Sequence, residues 1–294
     1  MVKHDKSVRN ENKVLACVDR SRFADFVADY AVWAARRLDA PLEFLHVIDR
    51  QSEKSSGDDH SGAIGIDAQE SLLQRLSSAD EATARTGREQ GRELLTRLRA
   101  RALAAGAAMV DVRQRHGVLV DTLADLQGGA RLIVLGRRGE SADTHPRDVG
   151  RQVENVVRSM EKPVWTVSEP FVEPRRVMIA FDGRIVTRRG VEMVAASPLF
   201  RGLPVHLLMS GKQSAEANRH LAWAQTTLQA AGFEVHPLSI PGDAESVIAR
   251  TLADQGIDLL VMGAYSHSRL RSLFLGSKTT GLLRSARVPT LLLR

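Results

Sequence analysis

The chain has one cysteine, Cys17, so it can form neither an internal disulfide nor a cysteine-based zinc cluster. Cys17 sits in the apolar run Val14-Leu15-Ala16-Cys17-Val18 and reads as a small buried hydrophobe. No stretch comes near the ~18 consecutive apolar residues that a membrane-spanning helix needs. Aromatic residues make up only 4%, and none alternates with a basic cluster as a stacking platform for nucleic acid would require. A G-x-S-x-G nucleophile elbow, an H-E-x-x-H zinc motif and a G-x4-G-K-[ST] phosphate loop are all missing. The nine histidines are scattered, and His46 and His206 read as satisfied residues of second strands. No base–nucleophile pair emerges, so a dedicated enzyme is not expected.

Basic charge is what the chain does have. The formal net charge is +6, and seven of the 41 basic residues are lysine, leaving 34 arginines. These arginines are interspersed with acids and read as a solvated surface, with only nonspecific affinity for polyanions. The charged opening MVKHDKSVRNENK is followed by five apolar residues, short for a secretion signal, so a cytoplasmic chain is expected. At 294 residues the length corresponds to about two domains, each large enough for its own core.

The two halves repeat each other. Val14-Leu15-Ala16-Cys17-Val18-Asp19 is matched by Val177-Met178-Ile179-Ala180-Phe181-Asp182, an apolar run ending in a carboxylate. Leu132-Ile133-Val134-Leu135-Gly136 is matched by Leu259-Leu260-Val261-Met262-Gly263, and Lys162-Pro163-Val164 by Val288-Pro289-Thr290. Between these landmarks the period alternates. Strands are expected at 41–47, 109–112, 132–135 and 163–167, and helices at 23–38, 77–105, 118–127 and 149–159. The second half is expected to repeat the order, with strands at 177–181, 204–209, 234–239, 258–262 and 289–293. Its helices are expected at 186–197, 213–231, 244–255 and 277–285. Alternating strands and helices imply an α/β fold: two tandem, doubly wound, five-stranded parallel-sheet domains. The expected domains are 1–169 and 170–294, joined by the proline-bearing linker Ser168 to Pro174. The polar, Gly/Ser-rich stretch at about 51–78 is expected to be a long loop.

In such sheets ligands bind at the carboxyl ends of strands, near the switch point. The second half places there Asp182, then Gly263-Ala264-Tyr265-Ser266, then Gly276-Ser277-Lys278 opening the last helix, a G-x2-S-x9-G-S pattern. Glycine permits close backbone approach to phosphate, and the N–H groups of a helix start supply partial positive charge. Each element also has an ordinary structural use, as a turn or an N-cap, and only the combination points to a ligand.

This arrangement resembles the universal stress protein family in its tandem form, whose nucleotide-binding members carry G-x2-G-x9-G-[ST] after the fourth strand. The resemblance runs from about Val14 to Leu293. It implies an adenine nucleotide, ATP or AMP, with Mg as the accompanying ion, and a stress-response regulatory role. It assigns Asp182 to the base and ribose, Ser210 to the adenine edge, Met262 and Gly263 to the base and ribose side, and Gly276, Ser277 and Lys278 to phosphate. Ser266 replaces the second loop glycine and would add roughly 1–2 kcal/mol of strain if that position requires φ > 0.

The first-half counterparts are Asp19, Val47, Gly136, Gly139 and Gly150. Here ten residues, not nine, separate Gly139 from Gly150, and Arg151 follows in place of a small hydroxyl. The ten include three carboxylates, which oppose a triphosphate, while Arg137, Arg138 and Arg151 offer compensating charge. The expectation is at most one nucleotide per chain, in the second half, and no catalytic or metal-binding residues. The last strands of the two halves are expected to pair within the chain, and a homodimer of the whole chain is compatible with the sequence. Alternatives are a scaffold without nucleotide and a slow ATPase or self-phosphorylating protein.

Overall fold

The structure is a computed structural model and describes residues 12–48, 66–139, 151–167, 169–264 and 288–294, with side chains from 85 and 153 in the segments that open at 66 and 151. The first half runs β1 (Lys13–Cys17), α1 (Ala24–Leu38), β2 (Leu42–Ile48), α2 (Ile66–Ala104), β3 (Val110–His116), α3 (Leu119–Leu126), β4 (Ala130–Gly136), α4 (Arg151–Ser159) and β5 (Val164–Val167). The second runs β6 (Val177–Ala180), α5 (Ile185–Ala196), β7 (Val205–Ser210), α6 (Ala215–Ala230), β8 (Val235–Ile240), α7 (Ala244–Asp254), β9 (Leu259–Gly263) and β10 (Thr290–Leu293). The expected α/β organisation is present; the expected helix 277–285 lies outside the described residues.

All these strands belong to one ten-stranded sheet in the order β3-β2-β1-β4-β5-β10-β9-β6-β7-β8. Pairing is parallel everywhere except at the centre, where the last strands of the two halves, expected to pair, meet antiparallel as β5 and β10. Each half therefore reverses direction of growth beside its first strand, between β1 and β4 and between β6 and β9. The central strands are near-continuous apolar runs because helices cover both faces. One core joins Tyr30, Trp33, Leu98 and Trp165 of the first half to Phe200, Leu207 and Leu291 of the second, so it crosses the seam. The outer strands are blunted against further pairing: β3 exposes Asp111 and Arg115, and β8 contains Pro237. Their mixed polarity also explains why β3 reads from sequence as only four residues.

The expected loop at about 51–78 is corrected from residue 66 onward, where α2 begins. The Gly/Ser-rich composition ends near there, and 66–84 is dominated by Ala, Leu, Gln, Glu and Arg, which lose little freedom in a helix. Residues 51–65 of that expected loop lie outside the described residues.

The linker is held rather than merely spanned. The Tyr30 hydroxyl donates to Pro170 O (3.4 Å) and accepts from Val172 N (3.2 Å), and Trp33 Nε1 donates to Glu173 Oε1 at 3.3 Å. The ring of Tyr30 also packs edge-on against Phe171 and Trp165.

Candidate functional site

The second-half cleft is built where β6 and β9 end side by side. Ala180 is paired with Met262, so Asp182 emerges two residues beyond that pair, next to Gly263. Gly183 follows with φ +75°, a left-handed turn that suits glycine, and its Cα is packed under the His220 ring from α6. The turn starts α5 early. A Cβ on Gly263 would lie 3.1 Å from Thr187 Cγ2 and 3.2 Å from Val186 Cγ1, so glycine lets the first turn of α5 sit directly on the end of β9.

Asp182 Oδ1 accepts from Thr187 Oγ1 at 2.6 Å and from Arg184 N at 3.0 Å, while Oδ2 lies 3.7 Å from Arg184 Nε. The carboxylate is thus oriented from below yet remains 49% exposed. Ser210 ends β7 on the far side of β6 and is half-buried, and Met262 is buried. The structure brings Asp182, Ser210, Met262 and Gly263 to one sheet edge. Ser266, Gly276, Ser277 and Lys278 lie outside the described residues, as does Gly150 of the first half.

The first-half cleft keeps the bond from the backbone N–H two residues after its Asp but differs in what surrounds it. Asp19 Oδ1 accepts from Ser21 N at 3.1 Å and from the Ser21 hydroxyl. The loop after β4 folds back over the other oxygen: a Cβ on Gly139 would lie 2.5 Å from Asp19 Oδ2. Gly136 is tight against its own loop, with Arg138 O 2.8 Å from where its Cβ would stand. Val47 is half-buried on β2, and His46 Nδ1 lies 3.0 Å from Val18 O, a satisfied buried histidine as expected.

Arg137, expected to lend charge to a phosphate, instead turns into the seam. Its Nε donates to Thr166 Oγ1 at 3.1 Å, and its Nη2 donates to Thr290 Oγ1 and Val288 O, both at 2.5 Å. The side chain is almost wholly buried, and desolvation pulls its pKa down to about 10, against the opposing field of Glu169. The cause is steric: the tight turn at Gly136 aims residue 137 across β5.

The universal stress protein family model matches residues 11–168 and 201–294. Universal stress protein Slr1230 of Synechocystis sp. is 34% identical over 284 residues, covering 96% of this chain and 99% of that relative. The chain belongs to the universal stress protein family. A crystal structure of a universal stress protein from Archaeoglobus fulgidus superposes with TM-score 0.72 at 18% identity, covering 97% of both chains. A Pseudomonas aeruginosa protein of unknown function superposes with TM-score 0.54 at 16% identity, over 97% of this chain and 93% of that one. These two likenesses speak for the fold.

Chemically, a half-exposed carboxylate beside a glycine-ended strand is suited to accept from hydroxyl groups of a ligand while backbone approaches closely. Thr187, Arg184 and His220 were missed by sequence reading. The available signal was the short spacing from Asp182 to Thr187; His220 gave none, because only packing of α6 brings it to Gly183. Burial pushes the Cys17 thiol up to about 12, which keeps it protonated and inert. His206 departs from the satisfied role expected of it, since its Nδ1 is buried without a partner among the described residues. No group of three or more His, Cys, Asp and Glu suited to a metal occurs among the described residues, and none of their helices is long and apolar enough to cross a membrane.

Proposed function

We propose that this universal stress protein is a cytoplasmic stress-response regulator that binds one adenine nucleotide, ATP or AMP, in its second half. The observation that carries the reading is Asp182: an oriented, half-exposed carboxylate at the switch point, two residues beyond the Ala180–Met262 pair. Asp182 would accept from ribose hydroxyls, with Met262 and Ser210 flanking the base. Gly276, Ser277 and the Lys278 backbone would meet the phosphates, which would bring Mg with them. The covered Asp19 and the diverted Arg137 support leaving the first half without nucleotide.

Calorimetric titration with ATP tests this. Gly276→Val is expected to eliminate binding and Gly150→Val to leave it unchanged, with at most one site per chain. Two equivalent sites, or loss only in the Gly150 variant, overturn the assignment. A second reading, a scaffold without nucleotide, draws on the bonds Asp182 already makes to Thr187 and Arg184. Mass spectrometry of small molecules released from freshly purified protein separates the two.

A further inference from the structure

The seam between the halves is built from equivalent pieces that carry different chemistry at its two ends. Trp165 and Leu291 face each other in the middle of the β5–β10 pairing, and each stands two residues after its proline, so the local twofold passes between them. On one side of that axis Thr166 is opposite Thr290; on the other Val164 is opposite Leu292. Residues 166 and 164 lie on one face of β5, as 290 and 292 do on β10.

Arg137 and Ala264 are equivalent too. Arg137 N donates to Val167 O at 2.7 Å and Ala264 N to Leu293 O at 2.6 Å, each just past the end of its fourth strand. Arg137 serves the two threonines at one end. At the mirror end, the place of that side chain is taken by Ala264, packed in an apolar core with Val164 and Leu292. One end buries a guanidinium with two hydroxyls; the other buries only apolar side chains, and its guanidinium, Arg294, is exposed where it donates to Arg158 O.

We propose that Arg137, Thr166 and Thr290 form a recognition latch that makes the seam heterotypic, so that a first half pairs with a second half and not with its own kind. Only the unlike pairing collects both hydroxyls and the guanidinium at one end. Two first halves would set Thr166 opposite Val164 at both ends, giving each buried guanidinium one threonine hydroxyl in place of two. Two second halves would set Thr290 opposite Leu292 with no guanidinium to bond either hydroxyl. A buried charged group that loses an acceptor is costly, and specificity arises from that cost in the wrong pairings. The same latch explains the fate of Arg137 in the first-half loop, whose side chain is committed to the seam while Gly139 packs on Asp19.

The test uses the full chain with a protease site introduced after Glu169, folded intact and then cut. Native mass spectrometry of the cut protein, mixed with an isotope-labelled cut copy, is expected to show exchange into unlike pairs alone. In Arg137→Met the cut halves are expected to separate about tenfold to a hundredfold more readily, with pairs of first halves emerging. Thr290→Val is expected to give a smaller effect in the same direction. In the uncut Arg137→Met chain, amide exchange is expected to accelerate in 164–167 and 290–293 while 42–48 and 205–210 stay protected, a pattern that general loss of folding does not give. Like pairs from the unsubstituted protein overturn the proposal, as do unchanged separation and unchanged exchange in Arg137→Met.

Discussion

The two strand-end clefts occupy equivalent places in a repeated fold and have been put to different uses. Asp19 is capped by Ser21 and covered by the Gly139 turn, whereas Asp182 is braced by Thr187 and left half open. Both halves keep glycine at the end of the fourth strand. In the first, glycine admits a carbonyl of its own loop; in the second, it admits the start of a helix. A glycine pattern therefore marks close approach without saying what approaches.

The opposite ends of the strands diverge as well. Glu43, beside Leu15 on β2, accepts from Lys13 Nζ at 2.6 Å and from Arg113 Nε, forming a buried ionic cluster across three strands. Its counterpart beside Met178 on β7 is His206, whose ring stands 4.9 Å from that of His236 on the edge strand β8. The first half holds its outer strands with paired charge, the second with two imidazoles under the field of Arg176.

Breaking the charged arrangement is expected to have the largest effect. Glu43→Ala leaves the buried Lys13 ammonium without its carboxylate, and should cost about 3–5 kcal/mol in equilibrium denaturation at neutral pH. His206→Leu at the equivalent place should cost far less there, because no buried charge is orphaned; equal losses would remove the contrast.

At the clefts, Asp182→Asn should weaken adenine nucleotide binding about tenfold to a hundredfold by calorimetry, the size of a lost hydrogen bond to a charged group. Asp19→Asn should leave the affinity where it was. An equal loss in both variants would mean that the two carboxylates share one role.

Acid separates the strand starts. Desolvation, then the fields of His236 and Arg176, push the His206 pKa below its ordinary 6.5, against the pull of Glu234. The unfolded chain therefore binds the proton first, and stability is lost as pH falls through 6.5 toward the lower folded value. Amide exchange in 235–240 should rise over that window, ahead of exchange in 110–116. His206→Leu should flatten the difference, and an acid response unchanged in that variant would assign it elsewhere.

The smallest effect concerns the linker. Tyr30→Phe removes a hydroxyl bonded to both Pro170 and Val172 and keeps the ring contacts, so a loss of about 0.5–1.5 kcal/mol is expected in thermal or chemical denaturation. No change would mean that the ring alone holds the linker.

Sequence reading recovered the strands of the centre because each is a short apolar run bounded by turn residues, and it recovered the repeat because the landmarks recur in order. It fell short where polarity and periodicity disagree. β3 is an edge strand with charged Asp111, Arg113 and Arg115 on one face and polar Gln114 and His116 following Val112 on the other, and the start of α2 follows a Gly/Ser-rich stretch that pulled the expected loop thirteen residues too far. At the cleft, Asp182 and Gly263 followed from strand ends and spacing, and Ser210 and Met262 from the family resemblance. Thr187 and His220 required knowing how α5 and α6 lie on the sheet.

The sequence by itself determined the strand–helix alternation, the duplication and the positions of the two strand-end carboxylates. Those are properties of local period and repeated spacing, and they survive translation into structure because a buried parallel sheet admits few orders. Only the tertiary structure decided which carboxylate stays open and where Arg137 points. A side chain in a turn has no period to fix its direction, so the choice between phosphate and seam fell to what packs around it: the fold-back at Gly136 and two threonines brought together from residues 124 positions apart.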